Sequence, residues 1–159
     1  MIEHIIKEAG ECGACEKWYN NTNRNNLLEK YIMNVDWCME SGYPTKETFR
    51  QNTSEDELLE HNIYNYRTKE LVLENGTYIF NWSDCELYVP EWTYSTIHVG
   101  NNTILNINVK NKSKLYIYAY SNALIRIFVE SNAQCVIYKK GDSKIDIKGG
   151  DVIVKYDKY

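Results

Sequence analysis

The stretch NNTILNINVKNKSKLYIYAYSNALIRIFVESNAQCVIYKKGDSKIDIKGG, residues 101–150, repeats its own pattern every ten residues. In each ten-residue line the seventh place is isoleucine, the third is small, and the second is Asn, Lys or Asp. The isoleucines are Ile107, Ile117, Ile127, Ile137 and Ile147. Self-similarity at a short fixed period indicates a repeat architecture, in which each line supplies one strand and one turn.

The same ten-residue pattern extends back to residue 81, and residues 151–159 add a final strand. Odd places are apolar or small and should face inward, whereas even places should face outward. In a β-solenoid (β-helix) like residues stack over one another, so the identities at places two, three and seven favour that fold, with two lines per turn. An antiparallel β-meander or roll is the alternative, because Ser-Asn and Gly-Asp pairs are compatible with hairpin turns.

The chain before the repeats is predicted to be a helical N-terminal domain over residues 1–62. Apolar residues at spacings of three and four predict helices over residues 2–9 and 25–40, with one further helical turn over residues 14–20. Residues 63–80 are predicted to be a transition with the first strands. The fold class is therefore α+β, with the β-solenoid repeat domain over residues 81–159.

Two short helices at the end of the helical domain are predicted from their capping residues. Thr45 is expected to cap the segment KETFRQ, and Ser54 with Glu57 forms a capping box before EDELLEH. Gly42 should end the helix before them. Asn75-Gly76, further along the chain, reads as a turn between strands.

Charge is distributed unevenly along the chain. Residues 1–62 carry 6 basic and 12 acidic side chains, whereas residues 63–159 carry 12 basic and 10 acidic ones. Neither part is basic enough to give the electrostatic footprint of a nucleic-acid-binding protein. The segment GYPTKETFRQ, residues 42–51, is similar to a helix-turn-helix motif. A DNA-binding regulator that uses the N-terminal helices is therefore an alternative function.

The sequence starts without a positive region followed by a long apolar core, so we expect neither a signal peptide nor a membrane partner. The predicted location is cytoplasmic. The 5 cysteines should then be thiols rather than a disulfide framework.

A surface rich in tyrosine is the main candidate binding site. With two lines per turn, alternate lines appear on opposite faces, and one face collects most of the large aromatic residues. Its predicted binding residues are Trp92, Tyr94, His98, Tyr116, Tyr118, Tyr120 and Tyr138. Such a face should be covered by the N-terminal helices, by a second copy of the chain or by a partner.

Catalytic and metal sites are weakly indicated. Cys12 and Cys15 have the Cys-x-x-Cys spacing of a redox pair or of zinc ligands. A zinc site would need two more ligands, for example Cys38 with His4 or His61, and we expect no metal because four-ligand closure cannot be shown. His98 could pair with Glu86 or Glu91 as acid and base, yet no activated nucleophile is in register with it, so we expect a surface histidine. Cys85 and Cys135 occupy inward places and read as core residues. We expect neither an enzyme nor a cofactor.

The turn sequences SNA, NKS and GDS, together with LEKYIMNVDWCMESGYPTKETF at residues 28–49, support a resemblance. The chain resembles small bacteriophage and mobile-element proteins that join a helical N-terminus to a short tandem-repeat β-solenoid. The resemblance implies fold and origin, and it carries over no catalytic residues. It also implies a host protein as the partner, with inhibition of a host defence factor as the sharper hypothesis.

The predicted function is therefore a non-enzymatic protein-binding module that uses the aromatic face. Regular aromatic surfaces supply contact area at little entropic cost, which suits protein recognition. The alternative from another class is a structural protein that forms homo-oligomers through the solenoid, because solenoid ends are unpaired sheet edges.

Overall fold

The computed structural model describes residues 2–14 and 25–156. The chain divides into two compact units, Met1–Glu60 and His61–Tyr159. The helical turn predicted over residues 14–20 lies outside the described residues from residue 15 onward.

The first unit is helical, as predicted. Its described helices are α1 (Ile2–Glu11), α2 (Leu27–Met33), α3 (Val35–Ser41), α4 (Lys46–Asn52) and α5 (Glu55–Glu60). The single helix predicted over residues 25–40 is wrong, because the backbone leaves the helical region at Asn34, with φ −127° and ψ 32°. The Asn34 side-chain amide donates to the Lys30 carbonyl oxygen at 2.8 Å, so it competes with the backbone for a helix carbonyl.

The predicted helix caps are confirmed. The Thr48 amide donates to Thr45 Oγ1 at 3.3 Å, at the start of α4. At the start of α5 the Ser54 amide donates to Glu57 Oε2 at 2.7 Å, and the Glu57 amide donates to Ser54 Oγ at 3.3 Å. Gly42 ends α3 in the left-handed conformation, with φ 71°.

The second unit is a β-solenoid of about five turns. Its strands are β1 (Ile63–Asn65), β2 (Thr68–Val72), β3 (Gly76–Asn81), β4 (Asp84–Val89), β5 (Tyr94–Gly100), β6 (Ile104–Val109), β7 (Lys114–Ala119), β8 (Leu124–Val129), β9 (Gln134–Lys139), β10 (Lys144–Lys148) and β11 (Asp151–Tyr156). Odd-numbered strands form sheet A in the order β1-β3-β5-β7-β9-β11, and even-numbered strands form sheet B in the order β10-β8-β6-β4-β2. Successive strands therefore alternate between two sheets.

Strand register places like residues over one another. Tyr94 lies beside Lys114 and Lys114 beside Gln134, and the same 20-residue step relates Asp84, Ile104 and Leu124 in sheet B. Every strand pair among the described residues is parallel, which confirms the solenoid with two lines per turn and excludes the meander.

Inward places form the core of the solenoid, as the period-two pattern predicts. Four isoleucines of place seven, Ile107, Ile117, Ile127 and Ile137, are at most 2% exposed. Cys85 and Cys135 are buried in the same cluster. The fifth isoleucine, Ile147, is 36% exposed because β10 is the last strand of sheet B and no described strand lies beyond it.

The corners between strands explain the second and third places of the repeat. Asn102, Lys112 and Asn122 at place two have φ of 58°, 61° and 62°, a left-handed conformation that asparagine tolerates better than most residues. Thr103 and Ser113 at place three are buried directly after the turn, where a large side chain would not fit. The left-handed turn conformation therefore recurs at place two from Trp82 to Asn122, and buried small residues recur at place three.

The first turns of the solenoid are shorter than the repeat predicts. Thr68 pairs with Asp84 and Gly76 with Ser95, which gives offsets of 16 and 19 residues. The Asn75-Gly76 turn therefore connects a strand of sheet B to a strand of sheet A and forms a solenoid corner.

We predict that truncating a stacked isoleucine destabilises the protein only where the stack continues on both sides. Ile117→Ala should lower the free energy of unfolding by about 2–5 kcal/mol, because it leaves a cavity between two turns. Ile147→Ala, the matched control at the open end, should cost less than about 1.5 kcal/mol. Urea unfolding measures both, and equal losses would contradict the stacked core.

Candidate binding face

Outward places on sheet A form three parallel columns of side chains. Because the register steps by whole turns, the side chains at places four, six and eight each stand above their counterparts in the neighbouring turn. We call the outer surface of β5, β7, β9 and β11 the sheet A face. It contains most of the aromatic residues predicted to bind a partner.

The column at place eight is a continuous ring stack. His98 lies 4.8 Å from Tyr118 with the rings 7° from parallel, and Tyr118 lies 4.7 Å from Tyr138 at 8°. These distances match the spacing of adjacent strands, so the backbone itself sets the stacking distance. Lys155 of β11 continues the column, with Nζ 5.1 Å from the Tyr138 ring centroid.

A second cluster occupies the neighbouring columns. The rings of Tyr94 and Tyr116 lie 5.7 Å apart at 59°, and Lys114 Nζ lies 5.3 Å from the Tyr116 ring centroid. A hydrogen bond from Lys114 lowers the pKa of Tyr116. The pKa of Tyr94 is raised, first because it hydrogen-bonds to Tyr116. The two phenols thus differ in acidity although they are neighbours.

Lysines outnumber acids around the sheet A face. Within the described residues the basic side chains at this face and its corners are Lys110, Lys112, Lys114, Lys139, Lys140 and Lys155. The acidic side chains over the same face and corners are Glu91, Glu130, Asp142 and Asp151, of which Glu130 pairs with Lys110. The face therefore combines phenol hydroxyls with a net positive charge.

Two of the predicted binding residues are not accessible. His98 is 8% exposed and Tyr120 is 1% exposed, so the expectation that His98 is a surface histidine is wrong. His98 Nδ1 lies 3.0 Å from the Tyr120 hydroxyl, within hydrogen-bond distance. These two residues form the buried end of the sheet A face, whereas Tyr94, 54% exposed, belongs to its accessible part.

Trp92 lies at a corner and not among the outward columns. It precedes β5, has φ 64° and is 71% exposed. Lys112, the equivalent corner residue one turn later, places Nζ 4.8 Å from the Trp92 ring centroid. Trp92 therefore flanks the sheet A face at its edge.

The proposed partners of His98 in acid–base chemistry lie elsewhere. Glu86 is in β4 of sheet B, and Glu91 lies in the turn after that strand. Neither carboxylate shares a column with His98, whose stacking and hydrogen-bonding partners are the tyrosines. The geometry therefore does not assemble the predicted His–carboxylate pair.

The described cysteines are divided between the helical unit, with Cys12 and Cys38, and the solenoid, with Cys85 and Cys135. Cys12, Cys38, Cys85 and Cys135 are free thiols, and Cys15 lies outside the described residues. Burial raises the pKa of Cys38 and of Cys135 to about 12, which keeps both thiols protonated. Among residues 2–14 and 25–156, no group of three His, Cys, Asp or Glu side chains could hold a metal ion.

Lys155 is the member of the sheet A face that the repeat pattern missed. It follows the last ten-residue line, and β11 pairs with β9 at an offset of 17 residues, from Asp151 to Gln134. The ten-residue pattern therefore assigned it no column. A basic residue two places after Ile153, in an otherwise apolar strand, was the available signal.

The outer face of sheet B has a different character. A shallow groove of about 380 Å³ crosses it beside Glu86 and Tyr88, and Tyr88 and Phe128 are both exposed. Arg126 Nη1 donates to Asn106 Oδ1 at 3.4 Å. Charges of both signs are interspersed here, and its aromatic residues do not form a stack in the described part of the chain.

A scan against protein-family models, a search of curated proteins and a search of solved structures each found no match. The described residues include no helix that is both long enough and apolar enough to span a membrane.

We predict that Tyr116 ionises at lower pH than an ordinary tyrosine, whose pKa is about 10. The Lys114 ammonium stabilises its phenolate, so Lys114→Gln should move the titration of Tyr116 upward. Titration of the tyrosine Cζ signals by carbon-13 NMR measures this, with Tyr116→Phe assigning the signal. An unchanged titration midpoint of Tyr116 in Lys114→Gln would contradict the stabilisation of its phenolate by Lys114.

We predict that thiol alkylation follows burial. At pH 8, iodoacetamide should modify the half-buried Cys12 well before the buried Cys38 and Cys135, whose thiolates are suppressed. Peptide mass spectrometry measures the alkylation rate of each cysteine, and unfolding in guanidinium should make these rates equal. Labelling of Cys135 as fast as that of Cys12 in the native protein would refute the buried core position.

Proposed function

We propose that this protein is a non-enzymatic protein-binding module that engages its partner through the sheet A face. The observation that carries the proposal is the stack of His98, Tyr118, Tyr138 and Lys155, with the cluster of Tyr94 and Tyr116 beside it. Tyrosine is among the residues that contribute most to binding energy at protein interfaces.

Preorganisation supports this role. The stacked rings are held by the strand register, so binding does not have to order them again. Ordering a mobile side chain at an interface costs about 0.5–1.5 kcal/mol, and rings that are already fixed avoid that cost. The proposed binding surface is therefore a rigid one.

The orientation of the rings favours protein over nucleic acid as the partner class. Proteins that bind single-stranded nucleic acid offer open aromatic ring faces on which the bases stack. Here Tyr118 stacks against both His98 and Tyr138, and Lys155 lies over the other face of the column's last ring. The column presents ring edges in place of open faces, and ring edges suit the polar groups of a protein surface.

The charge of the face indicates what kind of protein surface it fits. Lys114 and Lys155 lie over the half-buried rings of Tyr116 and Tyr138, and lysines outnumber acids over this face and its corners. Charge complementarity between partners speeds association and rejects wrong partners. The proposed partner therefore presents an acidic patch.

The resemblance of the repeats to phage and mobile-element proteins supports a host protein as this partner. Under that interpretation the sharper proposal is an anti-defence role, in which binding blocks the working surface of a host defence protein. The resemblance concerns layout and turn sequences, so the identity of the host protein comes from the binding experiment.

We predict that truncating the exposed Tyr94 together with the half-buried Tyr116 and Tyr138 strongly reduces capture of the partner from host lysate. The triple variant Tyr94→Ala, Tyr116→Ala and Tyr138→Ala should lower recovery of the captured protein at least about tenfold, because central aromatic residues dominate interface energies. Quantitative mass spectrometry of the captured material measures this. Lys114→Glu should also weaken capture, and so should added salt.

The control variant truncates exposed aromatics on the opposite sheet. Tyr88→Ala with Phe128→Ala removes two exposed aromatic side chains from sheet B and should leave capture unchanged. Melting temperatures of both variants establish that each one is folded. Equal recovery of the same partner by wild type and the sheet A variant would refute the proposed binding face.

A further inference from the structure

The outer edge of β11 is an open sheet edge. Sheet A ends at β11, which pairs with β9 on one side, and no described strand pairs with its other side. Ile153 is 57% exposed, and Val152 and Val154, which pack against the core, are only half buried. An unpaired edge of this kind is a template for another strand unless charges, proline or a bulge block it.

The first five of the six residues of β11 are chemically symmetric about Ile153. They read Asp151, Val152, Ile153, Val154, Lys155, so an acid and a base flank a symmetric apolar core. In an antiparallel pair of two such strands centred on Ile153, Asp151 of each copy lies opposite Lys155 of the other. Cross-strand pairs of opposite charge stabilise such a pairing.

We propose that two copies of this chain form a two-fold symmetric dimer by antiparallel pairing of their β11 strands. The central contact is Ile153 against Ile153 on the outward side, and Val152 lies against Val154 on the inward side. A parallel, in-register arrangement would instead place Asp151 against Asp151 and Lys155 against Lys155. The charge pattern therefore selects the antiparallel arrangement.

A two-fold contact of this kind uses the same edge of both copies, so the assembly closes as a dimer and does not extend into a filament. Opposite residues of an antiparallel pair point to the same side of the sheet. The dimer would therefore join the two six-stranded A sheets and present both sheet A faces on one side. The dimerisation follows from the edge alone and does not depend on the proposed function.

A charge-reversal experiment tests this pairing. Asp151→Lys gives a chain with Lys at both flanking positions, and Lys155→Asp gives a chain with Asp at both. Each variant alone should dimerise at least about tenfold more weakly than wild type, because like charges then lie opposite one another. Mixing the two variants should restore association as a heterodimer, since each Lys then faces an Asp.

Sedimentation equilibrium measures the dissociation constants. The protein concentration should reach about 500 µM, because small interfaces give weak dimers. The double variant Asp151→Lys with Lys155→Asp should dimerise like wild type. Lys69→Asp, an equal charge change on exposed β2, is the matched control and should leave the constant unchanged.

Three results would overturn the proposal. They are a monomeric wild type over the whole concentration range, single variants that associate as tightly as wild type, and a mixture of the two weakened variants that forms no heterodimer. Circular dichroism establishes that the variants fold, and both altered side chains are exposed in the folded chain.

Discussion

Parallel pairing at a step of 20 residues, which relates the strands from β4 to β10, is the constraint on which the second unit depends. It brings each residue beside its counterpart one turn later, so the same residue type can make the same contact in each turn of the solenoid. Isoleucine at place seven fills the interior, small residues fit inside the corners, and left-handed turn residues reverse the chain. Each of these works only because the neighbouring turn repeats it.

The same register creates the candidate site. Strands lie about 4.8 Å apart, which is also a comfortable distance for stacked rings, so aromatic residues at like places must stack. Tyr118 and Tyr138 therefore become one rigid surface without a cavity or a bound group to hold them. Because the interior of this repeat fold is packed, the groups that can contact another molecule lie on its outer faces. The proposed role is therefore recognition of a partner protein.

The two proposals use different parts of one sheet. The face offers phenols and ammonium groups, and the edge of β11 offers backbone groups flanked by Asp151 and Lys155. Lys155 belongs to both, since it lies over the Tyr138 ring and opposite Asp151 of a second copy in the proposed dimer. A dimer would present two equivalent binding faces together, and two linked contacts bind more tightly than either alone.

The sequence by itself favoured a solenoid with two lines per turn over a meander, and it determined the inward and outward places and the helix caps, because these follow from local periodicity and turn chemistry. The parallel pairing that excludes the meander appears only in the tertiary structure. The sequence did not show the break at Asn34, the first and last turns that depart from the 20-residue step, or the contribution of Lys155. Only the tertiary structure decided that His98 and Tyr120 are buried while Tyr94 is exposed. Burial at these outward and corner places depends on contacts between residues far apart in the chain, which the inward and outward alternation of the repeat does not specify.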